Sequence, residues 1–309
     1  MTRPVDRPGT LSPPASNPAA GAGYPEISTP KGPVSPQSLY LTADRLYQIS
    51  REMSERDLAV LRFVHDSRFA TGAQLIRGFW LTGDPESNAA RAGRRALKRL
   101  ADWRVLERLP RRIGGRRTGS DGFVYRVGRA GVRLLVARGI HGPRVEAPGT
   151  LHLVHTLATT ELALRLREAD RGGTLECIEV QQEPICWRRF LGPMGAHRVL
   201  KPDLFIRIGA GGEGAAQALE DRWMVEIDLA SEAGRTIAGK ADGYLEHYRS
   251  GREQHDHGTY PRVLWLAPDE HRVEQIRQVL KRQPTEARRL FTVCRFEDTV
   301  RLLATEAHS

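Results

Sequence analysis

Residues 201–229, KPDLFIRIGAGGEGAAQALEDRWMVEIDL, decide how the second half of this chain is read. Two apolar runs, Asp203–Ile208 and Trp223–Leu229, flank the glycine-rich stretch 209–214, so the segment reads as strand, flexible hairpin tip, strand. No Lys-Ser/Thr follows those glycines, which argues against a phosphate loop. Side chains alternate across a strand, so Glu226 and Asp228 share one face and Val225 and Ile227 the other. Asp203 opens the neighbouring strand, and the three carboxylates are placed to converge on a divalent cation such as Mg²⁺, which prefers oxygen ligands.

Downstream, a helical pattern over about residues 235–249 precedes a strand at Val263–Ala267, a helix over about 270–281 and a last strand at Phe291–Phe296. Upstream, a helical pattern from Leu151 to Ala169 leads to a strand-like run at Thr174–Val180. Helix, three strands, helix and strand is an α/β order with a central mixed sheet. Glu161 falls among Val154, Leu157 and Leu164 on the apolar stripe of that first helix. An unpaired carboxylate there is costly, so Glu161 is expected to face a polar site at the end of the sheet. His155, beside Leu151 and Leu162, reads as a hydrogen-bonded core histidine, and His255 and His257 as solvent-exposed loop residues.

Gly142, Pro143, Pro148 and Gly149 punctuate the chain as a linker does, and an earlier, different pattern precedes them. Ser54 caps a helix with an acidic first turn and the apolar residues Leu58, Leu61 and Val64, and Thr71 opens a second, shorter one. In the third helix Gly93, Ala96, Leu97, Leu100 and Trp103 share one face, with Arg91, Arg94, Arg95, Lys98 and Arg99 opposite. A strand pair, Val105–Leu109 and Phe123–Val127, follows, its basic tip carrying Arg111, Arg112, Arg116 and Arg117. Three helices and a basic hairpin form the winged helix-turn-helix plan, in which the third helix enters the major groove and the wing straddles phosphates. The expected organisation is a Pro/Gly-rich tail over 1–40, a winged helix over 41–145 and an α/β domain over 146–309.

Charge supports that assignment. Residues 86–133 hold 14 basic side chains against 4 acidic ones, whereas the rest of the 309 residues balances at 33 against 33, so the whole net charge of +10 lies in one segment. Such asymmetry suits a domain that meets a polyanion, and double-stranded DNA is the expected partner. A solvated helix face would mix Glu with Arg at four-residue spacing, and this one does not. The tail up to about residue 38 holds nine of the nineteen prolines and no apolar periodicity, and is read as disordered. No run long enough to span a membrane is visible, the amino terminus has no signal-peptide core, and Cys177, Cys186 and Cys294 lack disulfide or zinc spacing; a cytoplasmic setting is expected. No Ser or Cys stands in a recognisable nucleophile motif.

The order and spacing of ERDLAVLRFV, the basic helix and wing, HTLATTELALRL, KPDLFIRI, WMVEIDLASE with Lys240 and Tyr244, and PRVLWLAP make residues from about 50 to 303 resemble the replication-relaxation family of bacterial plasmids and integrative elements. That resemblance implies a winged helix joined to a restriction-endonuclease-like, or PD-(D/E)XK, domain. It also implies Asp203 as the Asp of PD, Glu226 as the second metal-binding acid and Glu161 as a helical acid. Asp228 stands where the family's lysine belongs, and a carboxylate cannot supply that positive charge; Lys240, on the next helix, is the expected replacement. Two readings stay open. One is a Mg²⁺-dependent DNA endonuclease in which Asp203 and Glu226 hold the metal, Asp228 assists and Lys240 works on the attacking water. The other is a non-catalytic accessory protein that assists a relaxase or another plasmid-processing protein, or a transcriptional regulator.

Overall fold

The computed structural model describes residues 27–28, 41–81, 88–113, 122–142, 150–210 and 219–307. In chain order the first half contains β1 (Ile27–Ser28), α1 (Ala43–Glu52), α2 (Glu55–Ser67), β2 (Ala70–Thr71), α3 (Gly72–Phe79), α4 (Asn88–Asp102), β3 (Leu106–Ile113), β4 (Phe123–Val127) and α5 (Arg129–Val136). Ser54 and Asp57 form a reciprocal capping box at the start of α2, as Thr71 and Gln74 do for α3. The strands order as β1-β3-β4-β2, and each pair is antiparallel. Ile27–Ser28, inside the stretch read as a structureless tail, pairs with Ile113 and Arg112 at the edge of this sheet. The rest of the expected tail, to residue 40, and the linker residues 143–149 lie outside the described residues.

The second half contains α6 (Thr150–Arg171), β5 (Cys177–Gln182), β6 (Arg188–Leu191), β7 (His197–Leu200), β8 (Leu204–Ala210), β9 (Leu219–Ile227), α7 (Gly234–Arg249), α8 (Arg252–His257), β10 (Arg262–Ala267), α9 (Glu270–Leu280), α10 (Thr285–Arg288), β11 (Phe291–Arg295) and α11 (Thr299–Ala307). Five strands make a mixed sheet in the order β11-β10-β9-β8-β5. The pairs β5–β8 and β8–β9 are antiparallel, while β9, β10 and β11 are parallel. The whole is a mixed α/β structure. Its central strands bury both faces, which is why they read as nearly continuous apolar runs. Leu204, Ile206, Trp223, Val225 and Leu264 point to the side of α6 and α11. Phe205, Met224, Val263 and Trp265 point to α7 and α9.

Details of the second half also differ from expectation. The strand read at Thr174–Val180 begins three residues later, because Thr174 still closes α6 through its N–H to the Ala169 carbonyl. The β6–β7 hairpin carries too few alternating apolar residues to be seen in sequence, since only one of its faces meets the core.

The apolar core does not divide where the linker was read. One cluster runs from Leu61, Leu75, Leu97 and Tyr125 through Leu162 and Leu166 to Ile206 and Trp223. Gly78 of α3 touches α6 so closely that a Cβ there would collide with Leu164. Polar bonds join the same surfaces: Gln182 Nε2 donates to Ser67 Oγ at 2.8 Å, Thr160 Oγ1 to the Phe69 carbonyl at 2.8 Å, and Arg68 pairs with Glu183.

Candidate functional site

The acids of the second half sit at the carboxyl end of β9. Leu204 is in register with Val225, so Asp203 lies across the strand pair from Glu226. The Asp203 N–H donates to the Val225 carbonyl at 2.9 Å, and its Oδ2 accepts from the Ile227 N–H at 2.7 Å. Pro202, just before it, has no N–H to extend the ladder, which frees this end of β8 for a polar site. Asp203 Oδ1 lies 2.9 Å from Nε2 of His155, on α6. Burial opposes a charge on that imidazole, but the hydrogen bond and the Asp203 carboxylate outweigh it and raise the His155 pKa.

Glu226 is buried, 2% exposed. Its Oε1 accepts from the Tyr244 hydroxyl at 2.6 Å and its Oε2 from Lys240 Nζ at 2.8 Å, both donors lying one turn apart on α7. Lys240 also donates to Glu232 Oε1 at 2.7 Å. Burial, and then the charge of Asp203, push the Glu226 carboxyl up to about 7 against the pull of Lys240 and Tyr244. Burial acts the other way on Lys240, yet Glu226 and Glu232 hold its pKa above the usual value. Glu232 Oε2 is buried with no hydrogen-bond partner.

Three of the five residues proposed for chemistry, Asp203, Glu226 and Lys240, are therefore brought together. Glu161 and Asp228 are not part of that cluster. Glu161 accepts from Arg77 at 2.8 Å, Arg165 at 3.0 Å and Gln74 at 3.2 Å, so the polar site it faces is the junction of α3 and α6. Asp228, on the expected face, is clamped by Arg272 of α9 at 2.7 and 3.2 Å. His155 and Glu232 join the cluster without having been singled out for it. His155, expected to be a hydrogen-bonded core histidine, is hydrogen-bonded, but a quarter of its side chain is exposed and its partner is the site's own aspartate. His255 and His257 are exposed as expected, though on α8 rather than in a loop.

On α4, Gly93, Ala96, Leu97 and Leu100 are buried. Arg91, Arg95 and Lys98 are exposed on the opposite face, and Arg94 is half-buried. Lys98 pairs with Asp102 at 2.6 Å, one turn on, so, against expectation, the helix does carry one acid at four-residue spacing from its cations. Arg99 differs from its neighbours: its Nη2 donates to both oxygens of buried Asp57, at 2.7 and 2.9 Å, and its guanidinium lies 5.0 Å from the Trp103 ring. It ties α4 to the capping box of α2. Arg111 and Arg112 belong to β3 by backbone, and Arg116 and Arg117 lie outside the described residues.

The family model for replication-relaxation proteins matches residues 61–263, about two thirds of the chain. The chain belongs to the replication-relaxation family. Membership suggests a role in the replication of a plasmid or other mobile element. No curated protein and no solved structure matches the chain. The matched span of this replication-relaxation protein takes in α4, the β3–β4 pair, Asp203, Glu226 and Lys240. No helix among the described residues is long and apolar enough to cross a membrane.

The donors suit Mg²⁺ in a restricted sense. Among the described residues no three His, Cys, Asp or Glu side chains form a ready cage. Mg²⁺, however, is often held by one or two carboxylates, with water and phosphate oxygens completing the octahedron. Asp203 and Glu226 are hard oxygen donors side by side. Glu232, with its orphaned oxygen, adds a third carboxylate next to Lys240.

Proposed function

We propose that this replication-relaxation protein binds duplex DNA through a winged helix-turn-helix, formed by α2–α4 with the β3–β4 hairpin, and cleaves phosphodiesters at the Asp203–Glu226–Lys240 cluster of a restriction-endonuclease-like domain. The observation that carries the second part is the meeting of Lys240 with Glu226 at 2.8 Å, across from Asp203. The lysine missing from the position of Asp228 is supplied from α7. Asp203 and Glu226 would hold Mg²⁺, which supplies Lewis-acid stabilisation of charge on the scissile phosphate. Lys240 has three N–H donors, two of them on Glu226 and Glu232, and the third is available to the attacking water or a phosphate oxygen. His155 fixes the orientation of Asp203. Asp228 and Glu161 hold the scaffold. The protein would act in the cytoplasm on plasmid or mobile-element DNA, alone or beside a relaxase.

The experiment is nicking of supercoiled plasmid with Mg²⁺ or Mn²⁺, together with metal calorimetry. Asp203→Ala and Glu226→Ala should lose metal binding and cleavage but keep duplex affinity, whereas Lys240→Ala should keep the metal and slow cleavage. One observation favours a second reading: both oxygens of Glu226 already accept from donors of α7. A non-catalytic accessory protein would use that pairing simply to lock the sheet. Absence of metal binding and of nicking under any divalent ion would select it.

A further inference from the structure

Outside α4 and the wing, the chain's charges balance, yet residues 184–202 contain Arg188, Arg189, Arg198 and Lys201 and not one Asp or Glu. This acid-free stretch is the β6–β7 hairpin, a two-stranded sheet separate from the central one. Its inner face is anchored: Phe190 and Leu200 are buried against the α7 side of the core, and Arg188 turns inward to Glu253 at 3.0 Å. The outer face is Arg189 opposite Val199 and Leu191 opposite His197, all exposed. Arg198, 3.8 Å from Glu246, keeps 56% of its side chain exposed.

The tip is Gly192-Pro193-Met194-Gly195. Met194 is fully exposed and adopts φ 56°, ψ 23°, a left-handed conformation that L side chains seldom take. A large apolar side chain is thus pushed into solvent at the end of a cationic arm. The base of the arm runs through Lys201 and Pro202 directly into Asp203.

We propose that the β6–β7 hairpin is a second DNA-gripping element, which enters the minor groove next to the Asp203–Glu226 site with Met194 as a wedge between base pairs. The occupant is argued from charge. Arg188 is spent on Glu253 and Arg198 is shared with Glu246, but Arg189 and Lys201 are exposed on a hairpin with no acid of its own and attract phosphate, and minor-groove binders pair such cations with Met, Leu or Pro wedges that unstack a base step. The position of the arm, three residues from Asp203, would seat a backbone phosphate beside the acids. The inference rests on the DNA-binding reading above but not on cleavage.

The test uses the full chain and reads binding. Arg189→Glu/Arg198→Glu should weaken duplex affinity about tenfold near 100 mM salt and flatten the log K against log[salt] slope by about 2, for two lost phosphate contacts. The melting transition should move little, because both residues are exposed and the Arg198–Glu246 pair that is lost lies at the surface, where such pairs contribute about 1 kcal/mol or less. Wild-type protein should brighten 2-aminopurine placed at the contacted step, and Met194→Gly, which suits the left-handed backbone, should abolish the signal without loss of stability. If wild type binds DNA and the α4 reversal abolishes it while the hairpin variants bind and unstack as wild type does, the hairpin inference is overturned and the DNA-binding reading stands. If wild type binds no duplex at all, both fall.

Discussion

Replacing Lys240 by methionine keeps the apolar stem beside Trp265 but removes the cation that lies 2.8 Å from Glu226 and 2.7 Å from Glu232. Removing one partner of a buried ion pair typically costs about 3–5 kcal/mol, since the other charge is left uncompensated. Lys240 is 31% exposed, so about 2–3 kcal/mol is the better figure where Glu226 is ionised. Glu226 has an escape, which is to take up a proton. Its carboxyl already stands at about 7 with the lysine present and will stand higher without it. A folded-state pKa above the unfolded value means that the native acid binds more protons between the two, so its contribution to stability is lost as pH rises through that window. The Lys240→Met penalty should therefore be largest near pH 8.5 and shrink to about 1 kcal/mol or less at pH 5, where Glu226 is neutral in both proteins and mainly the weaker Glu232 pair is missing. Urea melts of both proteins at the two pH values measure this, read at constant m-value. Glu226→Gln in the Lys240→Met background should restore most of the loss at pH 8.5. An equal penalty at both pH values, or no rescue by glutamine, would refute the charge coupling inferred here.

Asp203→Asn removes the charge that raises the His155 pKa, so the His155 ring titration followed by NMR should move to lower pH; an unchanged midpoint would break the assigned pair. The stabilisation that pair provides is full below the unfolded histidine value and fades as pH rises through the folded one, and the variant should lack this fall. On α4, Arg91→Glu/Arg95→Glu/Lys98→Glu should abolish duplex binding, and wild type should show a salt slope of about −4 to −5 if roughly 4 to 6 phosphates are neutralised; unaltered affinity in the folded triple variant would refute it. Arg99→Met should instead lower stability by about 1–3 kcal/mol, since it strands the buried Asp57 carboxylate, and a Tm equal to wild type would count against that role. Glu161→Gln should leave metal binding untouched while loosening the α3–α6 junction, read as faster amide exchange there; a loss of metal affinity would return Glu161 to the site.

What the sequence determined is what depends on neighbours along the chain. Ser54 and Thr71 cap their helices through bonds to the third residue on, and the cationic face of α4 follows from 100° per residue. The strands β8, β9 and β10 announce themselves as apolar runs, with Glu226 and Asp228 necessarily on one side of β9. Partner choice was not legible in that way. His155 and Glu161 share one helix, yet six residues of helix rotate them far enough apart that one reaches Asp203 and the other Arg77. Glu226 and Asp228 share a strand face, yet Lys240 of α7 meets the first and Arg272 of α9 the second. Arg99 looked like its cationic neighbours until α2 placed Asp57 under it. Periodicity and capping are local properties of the backbone, whereas a charge pairs with whatever the packing of layers carries to it, across 14, 42, 44, 48 or 84 residues of chain in these cases, and only the tertiary structure decides that.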